Sequence, residues 1–99
     1  MDIKDLTQAM HELVESKGWY SPNSSRPQTP QNLAISLSIE SNEVLEHFQW
    51  GGNIFKRSEL GEELADVALY LLQLASQCEI DLEDAILQKI KKNYNRNWD

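Results

Sequence analysis

The sequence predicts an all-α fold with a four-helix core, and three observations carry that expectation. Apolar residues recur at helical spacing through most of the 99 residues. All three prolines, Pro22, Pro27 and Pro30, fall inside one segment, GWYSPNSSRPQTP. No stretch shows the apolar–polar alternation of a half-buried strand. With no internal repeat and no low-complexity tract, the length suits a single domain over residues 1–99.

The elements follow in order. Ile3, Leu6, Met10, Leu13 and Val14 lie on one helical face, and Gly18 is placed to end that helix with Lys17 near its negative end. After the proline-rich segment, Thr29-Pro30 supplies an N-cap and a proline at the first helical position. Leu33, Leu37, Val44, Leu45 and Phe48 carry this second helix to about Trp50, where Gly51-Gly52 stops it. A third helix is expected from a Ser58 cap to about Glu79, with Glu59, Glu62 and Glu63 suited to the positive end of its dipole. Its centre, LADVALYLLQLA (residues 64–75), is apolar at ten of twelve positions. That run is too short for a membrane and too evenly apolar for a surface helix, so it reads as the buried one. Asp81 caps a fourth helix carrying Leu82, Ile86 and Ile90, with Lys89, Lys91 and Lys92 in its later turns.

Charge and cysteine usage bound the function. Nine Lys+Arg against sixteen Asp+Glu give a net charge of −7, which argues against a nucleic-acid partner, because phosphate neutralisation needs a basic surplus. A free nucleotide stays open, since bound Mg²⁺ can bring phosphates to carboxylates. The single cysteine, Cys78, excludes an intramolecular disulfide and a cysteine zinc cluster, and is expected in the core. The N-terminal segment has no signal-peptide core and no uncharged apolar run could span a bilayer, so a cytoplasmic protein without a membrane partner is expected. A chain this short buries roughly 60–65% of its unfolded surface, which makes oligomerisation a natural supplement.

Two carboxylate pairs are the candidates for chemistry. Glu40 and Glu43 are three apart on the second helix, and Glu63 and Asp66 are three apart on the third, so each pair shares a face. Asp66 stands in the most apolar run of the chain, and an ionised carboxylate buried there needs a cation, a hydrogen-bond network or a metal. If the two helices pack antiparallel, all four acids converge, and a divalent cation would relieve their repulsion. Oxygen ligands on rigid helices suit Mg²⁺, with Mn²⁺ as the alternative, better than zinc. The plainer reading is a solvated acidic face, which helical proteins of this charge commonly carry.

IESNEVLEHFQW followed by GEELADVALYLLQLA resembles the MazG-like nucleotide pyrophosphohydrolases, all-α enzymes related to the dimeric dUTPases. The family signature is E-x-x-E, a spacer, then E-x-x-D; here Glu43 and Glu63 bracket nineteen residues. FQW, the D-V-x-x-Y-L after the last acid and the I-D-L-E-D-A-I-x-x-K-I-x-K-N near the end also match, so the resemblance covers about residues 17–96 and is strongest to the dCTP-pyrophosphatase-like branch. It implies Mg²⁺-dependent hydrolysis of a (deoxy)nucleoside triphosphate, dCTP foremost, to the monophosphate and pyrophosphate, with a nucleotide-pool cleaning role. Glu40, Glu43, Glu63 and Asp66 would hold the metal, and Glu43 would orient or deprotonate the attacking water. Trp19, Trp50 and Tyr70 match aromatic positions around the nucleotide, and Lys89 and Asn93 match K-x-x-x-N positions near the triphosphate. Lys92, Arg96 and Arg57 are possible supplements.

The resemblance also implies a homodimer or homotetramer, with pocket residues from a neighbouring subunit. Three departures stand against the pattern: Gln28 replaces a histidine expected before the second helix, Ile39 precedes Glu40, and Asn97-Trp98 replaces an aromatic-proline ending. His11 and His47 read as surface or packing residues, His47 as a charge partner for the acidic face. Two rival readings are a dUTPase-like hydrolase and a non-catalytic helical oligomer that binds a partner protein.

Overall fold

The computed structural model describes residues 1–51 and 55–98, and among them every regular element is an α-helix. Helix α1 spans Ile3–Ser16, α2 Pro30–Glu46, α3 Arg57–Gln77 and α4 Leu82–Tyr94. No helix among these residues is long and apolar enough to cross a membrane.

The ends of α1, α2 and α4 are closed by local chemistry. Asp2 Oδ1 accepts from the Asp5 N–H at 2.8 Å while the Asp5 carboxylate takes the Asp2 N–H, a capping box that starts α1. Beyond its last turn Gly18 has φ 71°, in the left-handed region where a β carbon would be strained. Thr29 Oγ1 accepts from the Asn32 N–H at 3.2 Å and Asp81 Oδ1 from the Asp84 N–H at 3.0 Å, so both expected caps are made.

Two boundaries differ from the sequence-based expectation. Helix α2 ends at Glu46 rather than near Trp50, because the backbone tightens there: Phe48 N–H bonds Leu45 O at 3.0 Å and Gln49 N–H bonds Glu46 O at 3.2 Å. Gly51 follows with φ 88°, and Gly52, its expected partner in the stop, lies outside the described residues. Helix α3 starts at Arg57, with extended Lys56 in the cap position and no side-chain cap bond, so Ser58 falls inside the first turn.

Helices α2 and α3 form an antiparallel pair. His47 beyond the end of α2 lies 3.9 Å from Glu63 early in α3, while Leu33 early in α2 shares a groove with Tyr70 late in α3. Helix α1 packs on another side of α3, where Met10, Val14 and Leu72 are buried, with Trp19, Tyr20, Leu69 and Leu82 against them. Leu33, 1% exposed, is the most fully enclosed large side chain among the described residues.

Within one chain α3 is not the buried helix that its composition predicts. Only Leu72, Gln73 and Ala75 of α3 are buried, and Leu64 is 52% exposed. Asp66 is exposed, and so is Cys78, which was expected in the core. The physical reason is coverage: α1 and α2 shield two sides of α3, while α4 has no buried residue and leaves Ile86, Leu87 and Ile90 partly open. The radius of gyration, 15.9 Å, exceeds the roughly 13 Å of a compact chain of this length.

Candidate active site

Antiparallel pairing of α2 with α3 turns two short sequence spacings into one cluster. Glu40, Glu43 and Glu63 each offer a carboxylate oxygen, and these atoms lie within 4.8 Å of one another on half-buried side chains. Glu43 is central, within hydrogen-bond reach of both Glu40 and Glu63. Asp66 is outside that inner set. It lines the neighbouring cavity, and its charge is felt at Glu40 and Glu63.

The electrostatics record the crowding. Burial, then the hydrogen bond to Glu43 and the charges of Glu43, Asp66 and Glu63, push the Glu40 carboxyl up to about 7. Glu63 is raised chiefly by its hydrogen bond to Glu43, then by desolvation and neighbouring charge, against the opposing influence of His47. Glu40 Oε2 and Glu63 Oε2 are buried without a hydrogen-bond partner. Converging carboxylates with unpartnered buried oxygens are the donor set that a hard divalent cation fits.

A pH dependence follows. Glu40 titrates higher in the folded chain than in the unfolded one, so protonation favours the fold. Its contribution is fully present below the ordinary carboxylate range and is lost as pH rises through about 7. Without divalent cations, the melting temperature is therefore expected to fall by about 5 °C from pH 5 to pH 8, on the scale of ~1 kcal/mol. Added Mg²⁺ is expected to compete with protons for the same oxygens and to reverse the fall. Scanning calorimetry across pH, with and without Mg²⁺, checks this; a metal-free melting curve that rises steadily to pH 8 contradicts the cluster.

Beside the acids runs a groove between the α1–α2 connection, α2 and α3. It comprises a cavity of about 180 Å³ lined by Trp19, Gln28, Asp66, Tyr70 and Gln73 among others. A second, of about 290 Å³, shares Trp19, Gln28 and Tyr70 and adds Arg26, Leu33 and Ser36. The Arg26 guanidinium lies 5.7 Å from the Trp19 ring centroid. Trp19 and Tyr70 thus line one groove, together with Asp66.

The remaining sequence-predicted residues are not gathered there. Trp50 is 89% exposed beyond α2, and Lys89 is exposed on α4. Asn93 is half-buried on α4, with its Oδ1 buried and without a hydrogen-bond partner. Of the supplementary cations, Arg57 and Lys92 are exposed, and Arg96 stacks 3.8 Å from the Trp98 ring centroid. His47 is the expected neighbour of the acids, with Nε2 3.9 Å from Glu63 Oε1.

Sequence reasoning missed Gln73, Tyr20 and the bridging role of His11. Gln73 is 3% exposed and donates to Gln28 Oε1 at 2.7 Å and to Tyr20 Oη at 3.3 Å. His11 joins Tyr20 Oη at 2.6 Å and Ser76 Oγ at 2.8 Å. A polar side chain within the apolar run LLQLA was the signal available for Gln73, by the same reasoning that singled out Asp66.

These features define a class: an all-α protein with a carboxylate cluster on an antiparallel helix pair, beside an aromatic-lined groove. Within that class the chain belongs to the MazG-like family, whose pattern it matches over residues 35–98. Among curated relatives, dCTP pyrophosphatase 1 of Homo sapiens is 32% identical over 103 residues, and its Mus musculus counterpart 30%. Both alignments cover 95% of this chain but 58% of the relative, so the chain spans little more than half the length of these proteins. A pyrophosphatase from Archaeoglobus fulgidus of known crystal structure superposes with a TM-score of 0.79 at 36% identity, covering 94% of this chain and 89% of that one.

Proposed function

We propose that this chain, as a single helical domain, is a Mg²⁺-dependent nucleoside triphosphate pyrophosphohydrolase acting in the cytoplasm on the dNTP pool. The substrate is a dNTP, dCTP foremost, and the products are the monophosphate and pyrophosphate. The observation that carries this reading is the convergence of Glu40, Glu43 and Glu63 within 4.8 Å, next to a groove walled by Trp19 and Tyr70. Membership of the MazG-like family and the names of the relatives support the reaction class.

Each residue has a role that its place supports. Glu40, Glu43 and Glu63, with Asp66 from the groove side, hold the cation. When bound, the metal supplies charge neutralisation on the triphosphate and a more acidic water. Glu43, central among the acids, orients or deprotonates the attacking water. Trp19 and Tyr70 offer stacking surfaces to the base. Trp50, Lys89 and Asn93 complete the site only when a second copy of the chain closes over it. The half-exposed Leu64, Ile86 and Ile90 and the extended shape of the single chain support a homodimer or homotetramer.

The test is product analysis with a panel of dNTPs and NTPs, with Mg²⁺, Mn²⁺ or chelator, for wild type and Asp66→Asn. Monophosphate plus pyrophosphate from wild type, dependent on metal, is expected, and Asp66→Asn is expected to retain about 1% of that turnover. Stepwise phosphate release places the attack on another phosphorus. Preference for dUTP supports the dUTPase-like activity. No turnover with either metal supports a non-catalytic binding module.

A further inference from the structure

The hydrogen bonds behind the groove have a single direction, set at one end by a group that can only accept. Gln28 Nε2 donates to the Arg26 backbone carbonyl at 2.6 Å, which fixes the Gln28 amide and turns its Oε1 toward Gln73. Gln73 must meet that oxygen with an N–H, and its Nε2 also donates to Tyr20 Oη. Having accepted that bond, Tyr20 can give its own proton to His11 Nδ1 at 2.6 Å, the tautomer in which His11 Nε2–H faces Ser76 Oγ at 2.8 Å. Both hydrogens of Gln73 Nε2 are thereby committed. What this buried side chain has left to offer a ligand is Oε1, an acceptor, in the cavity it shares with Trp19, Tyr70 and Asp66.

We propose that Tyr20 is a positioning residue for base selectivity. Together with Gln28, which sets the amide's direction, it holds Gln73 so that a carbonyl oxygen, not an N–H, meets the base, which favours a pyrimidine bearing an exocyclic amino group over one with a carbonyl at that place. The proposal rests on the nucleotide reading above. An amide free to turn serves either base, because it presents a donor or an acceptor on demand; a locked amide leaves an acceptor facing an acceptor when the keto base binds. An unpaired buried polar contact of that kind is a strong basis for discrimination. Tyr20 lies outside both cavities of the groove, so its influence passes through Gln73.

The experiment compares kcat and KM for dCTP and dUTP in wild type, Tyr20→Phe and Gln73→Met, each checked for folding by circular dichroism. Wild type is expected to prefer dCTP by at least about tenfold in kcat/KM. Tyr20→Phe is expected to cut that preference about tenfold through KM, with kcat for dCTP within about threefold of wild type. Gln73→Met, which removes the acceptor itself, is expected to lose the preference even if Tyr20→Phe does not fold. A folded Tyr20→Phe with the wild-type ratio overturns the proposal, as does a wild type that turns over nucleotides but favours dUTP; both leave the pyrophosphohydrolase standing. A wild type that neither hydrolyses nor binds any nucleotide removes the enzyme reading and this proposal together.

Discussion

Glu43→Gln is expected to lower turnover by about 10³-fold while leaving the chain folded, the scale of losing a positioned base or a metal-holding carboxylate. Glu43 is the acid that both Glu40 and Glu63 approach, so its charge contributes to raising each of them. Neutralising it removes the central repulsion. The metal-free variant is therefore expected to melt about 3 °C higher than wild type at pH 8, an increment of less than ~1 kcal/mol. The same change removes a donor oxygen, so the Mg²⁺-dependent rise in melting temperature shrinks or vanishes. Opposite signs in the metal-free and metal-loaded forms separate a metal site from a solvated acidic face. A variant with wild-type turnover, or one whose Mg²⁺ response is unchanged, removes Glu43 from the site.

Leu33→Ala is expected to cost about 3 kcal/mol of folding stability, within the 2–5 kcal/mol range for truncating an enclosed leucine. Leu33 is 1% exposed, and the short packed core has few side chains able to close over the void. A domain of this size has a total stability of roughly 5–15 kcal/mol, so the loss is a large share of it. Urea unfolding at matched protein concentration should show a lower midpoint with an unchanged slope. Leu33 also walls the groove together with Tyr70, so KM for nucleotide should rise in the variant. A cost below ~1 kcal/mol would show that the α2–α3 contact relaxes into the space.

The legible parts of this protein are those that depend on near neighbours in the chain. The Thr29-Pro30 and Asp81 starts need only a side-chain oxygen and an N–H two or three residues on, and both bonds are made. The carboxylate pairs were visible for the same reason, since i and i+3 on a helix share a face whatever else packs against it. Ser58 was a reasonable cap that lost to extended Lys56, because the start of α3 is set by how the chain arrives from α2. Asp66 and Cys78 illustrate a different failure. An apolar run says that a helix has surface to cover, and it does not say which copy or which element covers it; in one chain both residues are exposed.

By itself the sequence determined the helices, the caps of α2 and α4, the acidic surplus and the pairing of acids at helical spacing. The tertiary structure decided that Glu40, Glu43 and Glu63 form the inner cluster while Asp66 faces the groove. It also joined His11 to Ser76 across 65 positions, Tyr20 to Gln73 across 53 and Gln28 to Gln73 across 45, the last of which gives the buried amide its direction. Spacing along one helix is dictated by the local backbone. Which oxygen meets which N–H between distant segments depends on how whole helices pack, and burial then makes each unpaired group costly enough to select one arrangement.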